Sequence, residues 1–468
     1  MRLHDYQESA VRFALASFRD HGGCGLFLDM GLGKTLTTIA IMDIWHAMHP
    51  DSRFLVVAPK TVAVNTWPDE LDKWADAHRL DYAVACGSKP DPRKRAKALE
   101  AGATVTIINQ ENLGWLDSHV DVWPWDCIVL DELSGYKSPT AKRFRLLKRR
   151  RGNLASAPGR SRHGRPVSWV LGLTGTPAAK GLMDLWAQCY LLDGGHALGP
   201  TLTSYRQRWF VPGRHNGDVV YEWLPRPEAY GRIMGAIAPF CLTMLARDKL
   251  PGLPRRTVID HMVAMPEKTR AAYDAFRRDK WMELRDGAEV SAANAGVLCN
   301  KLTQFTAGCI YPDPGVDAPV VRLDDAKLDE FDRILQESQG EQILVFYQFR
   351  DELARLKARY KGMVHTTDEP GIVAEWDAHR VPILATHPLS SRFGLNLQHS
   401  GHIVVWLSLT WSLEDYTQAN ARVDRQGQER PVQIHRIIEP DTVDARKLSV
   451  LAGRAELAGA VMEELRRD

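Results

Sequence analysis

The chain has 468 residues, 44% of them hydrophobic and 25% charged, with a formal net charge of +2. That composition excludes disordered and fibrous classes and leaves a globular protein of roughly two to four domains, long enough to bury sizeable cores without staples. The near-neutral balance names no partner, so any charged ligand must be met by local charge. Seven cysteines include no CxxC pair, and sixteen histidines show no HExxH spacing. They read as free, mostly buried thiols of a reducing compartment and as non-ligating histidines. The start MRLHDYQESAVRF lacks a basic segment followed by an apolar core, and no apolar run approaches the ~18 residues that span a bilayer. A cytoplasmic or nucleoid location is expected.

In chain order, residues 24–29, 53–58, 104–109, 127–130 and 168–173 are short runs rich in Val, Ile and Leu, separated by amphipathic stretches. They do not alternate, as befits strands buried on both faces of a parallel sheet. From about 201 to 311 the strand signal fades and helical patterns dominate, as in 266–284. Residues 312–323 (PDPGVDAPVVRL) read as a linker. A second strand series follows at 342–347, 383–386, 402–407 and 432–437. No solenoid repeat is present. The pattern predicts an α/β protein with two parallel sheets flanked by helices and a helical insertion between them. The expected domains are 1–200, a protrusion and connector over 201–311, the linker 312–323, and 324–468.

DMGLGKT, residues 29–35, follows one apolar run and precedes a helical one. A strand, a glycine turn and a helix make a phosphate cradle, because glycines let backbone N–H groups approach the phosphates. Gly31 and Gly33 shape that turn, Lys34 is placed to reach the β- and γ-phosphates, and Thr35 to ligate magnesium. Leu28 stands where the strict pattern has its first glycine. IVLDE, residues 128–132, is a second strand ending in two carboxylates. Asp131 is the expected magnesium ligand, and Glu132 the residue that orients and activates the attacking water. Paired acids at a strand end can also cap a helix, but a GKT turn about a hundred residues earlier favours the catalytic reading. Arg422 and Arg425 in QANARVDRQGQ have the spacing of one helix face. They are either a solvated pair or arginines that stabilise charge on a transferring phosphoryl group.

Ten Lys or Arg and no acid occur between 142 and 165, among them Arg149, Arg150 and Arg151. The stretch is either a solvated charged loop or a patch that neutralises nucleic-acid phosphates.

Taken together and in order, these motifs resemble helicase superfamily two, most closely its Snf-type DNA translocases. The resemblance runs from 3 to about 438 and implies two RecA-like lobes, the first binding ATP. LHDYQESAV (3–11) resembles the leading glutamine motif, with Gln7 reading adenine. LVVAPKTVAVNTW (55–67) and TIINQENL (106–113) resemble motifs Ia and Ib. VLDELSGYKSPTAKR (129–143) resembles motif II with its trailing Lys137, and LGLTGTP (171–177) motif III. ILVFYQF (343–349) resembles motif IV. SRFGLNLQHSGHIVV (391–405) resembles motif V, with Gly394 and Asn396 in the nucleotide-binding places. DYTQANARVDRQGQ (415–428) resembles motif VI, with Gln418, Arg422 and Arg425. LMDLWAQCYLLD, SYRQRW and LARDKLPGLPRRT resemble the helical protrusion of the Snf type.

The resemblance implies ATP and Mg²⁺ as ligands and double-stranded DNA, held mostly by its phosphates, as partner. It adds Lys60, Thr61, Asn109, Gln110, Lys137, Gln348 and Trp411 as DNA-contact candidates, although Trp411 is equally at home as a packing residue. Two departures stand out. Ser134 occupies the place of the family's histidine in motif II, and Ala421 and Asp424 stand where glycine and histidine are usual. The implied activity is a DNA-stimulated ATPase that translocates on duplex DNA as a monomer, with a protein partner supplying specificity. A strand-separating helicase and an ATP-gated DNA clamp are the alternatives.

Overall fold

The computed structural model describes residues 2–465 apart from 87–91, 121, 152–166, 180, 214, 217–218, 221, 251, 287–291, 314, 316–317 and 391–394. The chain divides into two units, one of Met1–Pro251 with Arg454–Asp468 and one of Gly252–Gly453. The last helix, Val443–Glu464, begins in the second and ends in the first.

The first unit is built on a seven-stranded sheet in the order Cys241–Met244, Gly23–Leu28, Trp169–Thr174, Cys127–Asp131, Phe54–Ala58, Val105–Asn109, Tyr82–Val84. Every neighbouring pair is parallel. The continuous apolar runs form these strands because both faces are covered. Within Phe54–Ala58, residues 54, 56 and 58 enter one buried cluster with helices Asp5–His21 and Lys34–Met48, while 55 and 57 enter another with helix Leu185–Asp193. That split is the two-residue period of a strand sandwiched between helices.

The second unit repeats the design with six parallel strands in the order Arg256–Met262, Val432–Ile438, Ile403–Trp406, Ile343–Phe346, Ile383–Thr386, Val364–Thr366. The strands expected from the sequence all form, with ends shifted by a residue or so.

Among the described residues, four strands of these two sheets escape the sequence reading. Two of them, Cys241–Met244 and Arg256–Met262, lie in the stretch read as helical. Each adds a parallel edge to a sheet that distant residues nucleate, and neither carries a long Val/Ile run. Residues 201–251 accordingly belong to the first unit and 252–311 to the second, whereas the sequence set 201–311 apart. Within the expected linker, Val321–Arg322 pairs antiparallel with Cys309–Ile310. No helix of the described residues is long and apolar enough to cross a membrane.

Candidate nucleotide site

At the carboxyl end of strand Gly23–Leu28 the chain turns through Asp29–Gly33 into helix Lys34–Met48. Gly31 and Gly33 take positive φ values of 85° and 70°, a conformation that strongly favours glycine. At Gly33 space is also short, since a Cβ would lie 2.4 Å from Gln7 Nε2. Gln7 is 3% exposed and is held on both sides. Its Oε1 accepts from the His4 N–H at 3.0 Å, and its Nε2 donates to the Leu32 carbonyl at 3.4 Å. The glutamine assigned to adenine thus also braces the glycine turn.

Lys34 donates to the carbonyls of Leu28 (2.8 Å) and Asp29 (3.2 Å), which keeps its ammonium within the turn. Thr35 is the next residue of the helix and is half-buried. Motif III adjoins this turn, because a Cβ on Gly175 would stand 3.9 Å from Lys34 Nζ.

Two strands away, Cys127–Asp131 delivers the acidic pair to the same end of the sheet. Asp131 is 7% exposed. Its Oδ2 accepts from the indole N–H of Trp67 at 2.9 Å and its Oδ1 from the Glu132 N–H at 3.1 Å. Burial raises its carboxyl above the ordinary range, against the pull of the Trp67 bond and the nearby Lys34 charge. Glu132 sits at φ 57°, ψ 61°, where a non-glycine residue bears roughly 1–3 kcal/mol of strain; such strain clusters at functional positions. The Gly135 N–H donates to its carbonyl at 2.9 Å and closes that turn.

These residues fit a magnesium nucleotide. A glycine turn and helix start suit phosphates, a half-buried hydroxyl and a buried carboxylate suit a hard cation, and a lysine stands beside both.

The structure redistributes the basic and amide candidates. Lys60 is exposed and Thr61 half-buried after strand Phe54–Ala58; Lys137 is half-buried. Asn109 and Gln110 are buried. Asn109 donates to Glu111 at 2.7 Å, and Gln110 donates to the Asp131 carbonyl at 3.1 Å while accepting from Arg143 at 3.2 Å. Gln110 therefore supports the acidic strand end from within.

The arginine triplet also needs correction as a DNA patch. In helix Lys142–Arg151, Arg150 is 7% and Arg151 4% exposed. Arg150 binds Asp117 through Nε at 2.9 Å and lies 4.6 Å over the Trp123 ring. Arg151 donates to the Leu192 carbonyl, and burial pulls its guanidinium down to about 10. Arg149 remains exposed and pairs with Asp117. Arg160, Arg162 and Arg165 of the same basic stretch lie outside the described residues.

In the second unit, Gln418 is buried in helix Leu413–Asn420. Arg422 and Arg425 follow that helix in a run of turns, with the Asp424 N–H donating to the Asn420 carbonyl and the Arg425 N–H to that of Val423. Their spacing therefore does not reflect one regular helix face. Arg425 Nη1 donates to Asn396 Oδ1 at 2.6 Å, joining motifs V and VI. Gly394 lies outside the described residues. Asp424, found where histidine is usual, accepts from Arg256 at 3.2 Å. Gln348 is half-buried, and Trp411 packs against the cluster of Tyr273, Leu302 and Phe305.

Sequence reasoning placed Trp67 at the end of motif Ia and Arg143 in motif II and the basic stretch, and gave neither a role at the acidic strand end. A wholly buried tryptophan reads as core, and only its N–H partner shows otherwise.

A parallel sheet with a glycine–lysine turn after one strand and an acidic pair ending another defines a P-loop nucleotide-binding fold. The chain belongs to the SNF2-related family, whose domain model matches residues 6–309, and its two parallel sheets are the RecA-like lobes of that family's helicase-like ATPases. It is 33% identical over 447 residues to "Putative protein p41" of Acyrthosiphon pisum secondary endosymbiont phage 1, covering 94% of each chain. It is 22% identical to an "Uncharacterized ATP-dependent helicase" of Mycoplasma genitalium, covering 99% of this chain but 42% of that one. Against the mouse "Chromodomain-helicase-DNA-binding protein 1-like" the identity is 24%, over 99% of this chain and 50% of the relative. The chain thus spans half or less of those two longer relatives. The solved "Sulfolobus solfataricus SWI2/SNF2 ATPase core in complex with dsDNA" is 22% identical, with a TM-score of 0.46 over 99% of this chain and 93% of that one.

Proposed function

We propose that this chain is an ATP-driven translocase on double-stranded DNA that hydrolyses ATP to ADP and phosphate when duplex is bound. One observation carries the reading: Lys34, Asp131 and the left-handed Glu132 stand at one end of one parallel sheet in a member of the SNF2-related family. In this reading Gln7 binds the adenine, Gly31 and Gly33 open the turn to the phosphates, and Lys34 binds the β- and γ-phosphate oxygens. Asp131 and Thr35 hold magnesium, which would offset phosphate charge when bound. Glu132 takes the proton from the attacking water. Gln418, Arg422 and Arg425 are proposed for the same reaction, the arginines to stabilise charge on the transferring phosphoryl group, and Gly394 and Asn396 for nucleotide binding.

Lys60, Thr61, Lys137, Arg149, Gln348 and Trp411 remain proposed contacts to the DNA backbone, joined by Asn109 through its place at a strand end. Backbone contacts carry no sequence information, so a protein partner would supply specificity.

The test is ATP turnover measured in parallel with duplex DNA, single-stranded DNA, RNA and no nucleic acid. Duplex is expected to stimulate most, and Glu132→Gln to lose on the order of 10²–10⁴ in kcat while still binding ATP. Equal turnover with and without duplex defeats the reading. Triplex displacement without unwinding of a forked duplex separates a translocase from a strand-separating helicase. A wild type as slow as Glu132→Gln points to a clamp.

A further inference from the structure

The geometry points to Trp67 as the residue that positions Asp131 to hold the divalent metal, an inference that rests on the nucleotide reading above. Trp67 has no exposed surface, and its indole N–H reaches a carboxylate 64 residues away at 2.9 Å. The reach is short in space because strands Phe54–Ala58 and Cys127–Asp131 are parallel neighbours. After the first of them the chain passes through a π-helix, Val62–Thr66, directly into helix Trp67–Lys73. A π turn is uncommon and recurs at functional sites. Here it sets the rotation at which the helix presents its first side chain.

The bond is not one that every buried indole makes. Among the described residues, the buried ring N–H groups of Trp123, Trp169 and Trp209 meet no hydrogen-bond partner. Trp67 spends its N–H on one oxygen of Asp131, and the Glu132 N–H takes the other. Two donors, one on each oxygen, fix the plane of the carboxylate, while each oxygen keeps a further lone pair for a cation. A donor placed behind a metal-binding carboxylate typically changes metal affinity 10–100-fold. Trp67 touches neither nucleotide nor metal in this account, so its role is positioning.

The test is Trp67→Phe, which keeps a packed ring and removes the N–H. Binding of a fluorescent N-methylanthraniloyl-ADP is titrated with magnesium, and its metal-free affinity is measured separately. The magnesium needed for half-maximal binding is expected to rise about tenfold, with the metal-free affinity unchanged. Superimposed magnesium curves for variant and wild type would overturn the assignment. An equal loss with and without metal would overturn it too, since it would mark Trp67 as packing alone. Should the variant not fold, 3-benzothienylalanine at position 67 keeps the indole outline with sulfur in place of N–H, and the same outcomes apply. No wild-type binding of the probe would defeat the nucleotide reading itself, and wild-type binding that ignores magnesium would overturn the metal role of Asp131 and with it that of Trp67, whereas a magnesium-dependent wild type matched by the variant sinks only the role of Trp67.

Discussion

Two buried aspartates, one in each unit, face opposite electrostatic surroundings. In the second unit Asp444 has no exposed surface and is held by Lys327 and Lys447, themselves buried, with the Thr306 hydroxyl donating to it at 3.2 Å. Burial pushes its carboxyl up, but the two ammonium groups outweigh that and hold it below the ordinary range. In the first unit Asp131 is buried among N–H donors, and Lys34 acts on it from its seat on the turn carbonyls. There burial wins and the carboxyl is raised. A carboxylate given two internal cations is part of the scaffold. One held in place by neutral donors and left electrostatically short suits a cation that comes and goes with a ligand.

The largest expected effect breaks or keeps that distinction. Asp444→Asn strands two buried lysines and should lose about 3–5 kcal/mol of stability in urea denaturation. Asp131→Asn should lose less, under about 3 kcal/mol, the loss coming from its amide NH2 facing one of the two N–H donors that Asp131 accepts from. Linkage limits that loss: a carboxyl raised in the folded state costs stability as pH rises from its unfolded to its folded value, and asparagine removes that cost. The same Asn should abolish magnesium-dependent nucleotide binding. A large stability loss in Asp131→Asn, or none in Asp444→Asn, ends the comparison.

The arginine pair sharpens it at smaller scale. Arg151→Ala leaves the Leu192 carbonyl without its buried donor and should cost about 1–3 kcal/mol in the same assay. Arg149→Ala removes an exposed ion pair and should cost under about 1 kcal/mol. Only Arg149→Ala is expected to lower the salt slope of duplex binding, by about one. An unchanged slope removes Arg149 from the DNA surface.

The smallest effect is a pH dependence beside Asp444. Burial, with Asp444 and Asp324 nearby, raises Glu439 to about 8, against the charges of Lys327 and Arg270. Its protonated form therefore contributes stability that is complete below its ordinary value of 4.5 and is lost as pH rises through about 8. Glu439→Gln mimics that protonated form. Wild type should fall behind it between about pH 5 and pH 9 in stability measurements, and parallel curves would refute the assignment.

The sequence alone settled what is local. The nine strands it announced are runs whose side chains must be covered on both faces, whatever lies beyond them. The GKT turn follows from backbone freedom at Gly31 and Gly33, and the acidic pair from its place at a strand end. Tertiary structure decided what depends on remote partners. Cys241–Met244 and Arg256–Met262 are strands because a sheet edge offers four and seven residues' worth of pairing in register, not because of their own composition. Arg422 and Arg425 share a spacing that suits a helix, yet their helix stops at Asn420. Arg149, Arg150 and Arg151 are chemically alike in the chain, but Asp117 and the Leu192 carbonyl, more than thirty residues away in either direction, decide which of them faces water. Trp67 looks like any core aromatic until strand pairing sets it beside Asp131. Residue type and spacing fix backbone preference. Which polar group is desolvated, and by whom it is satisfied, is fixed only when the chain closes on itself.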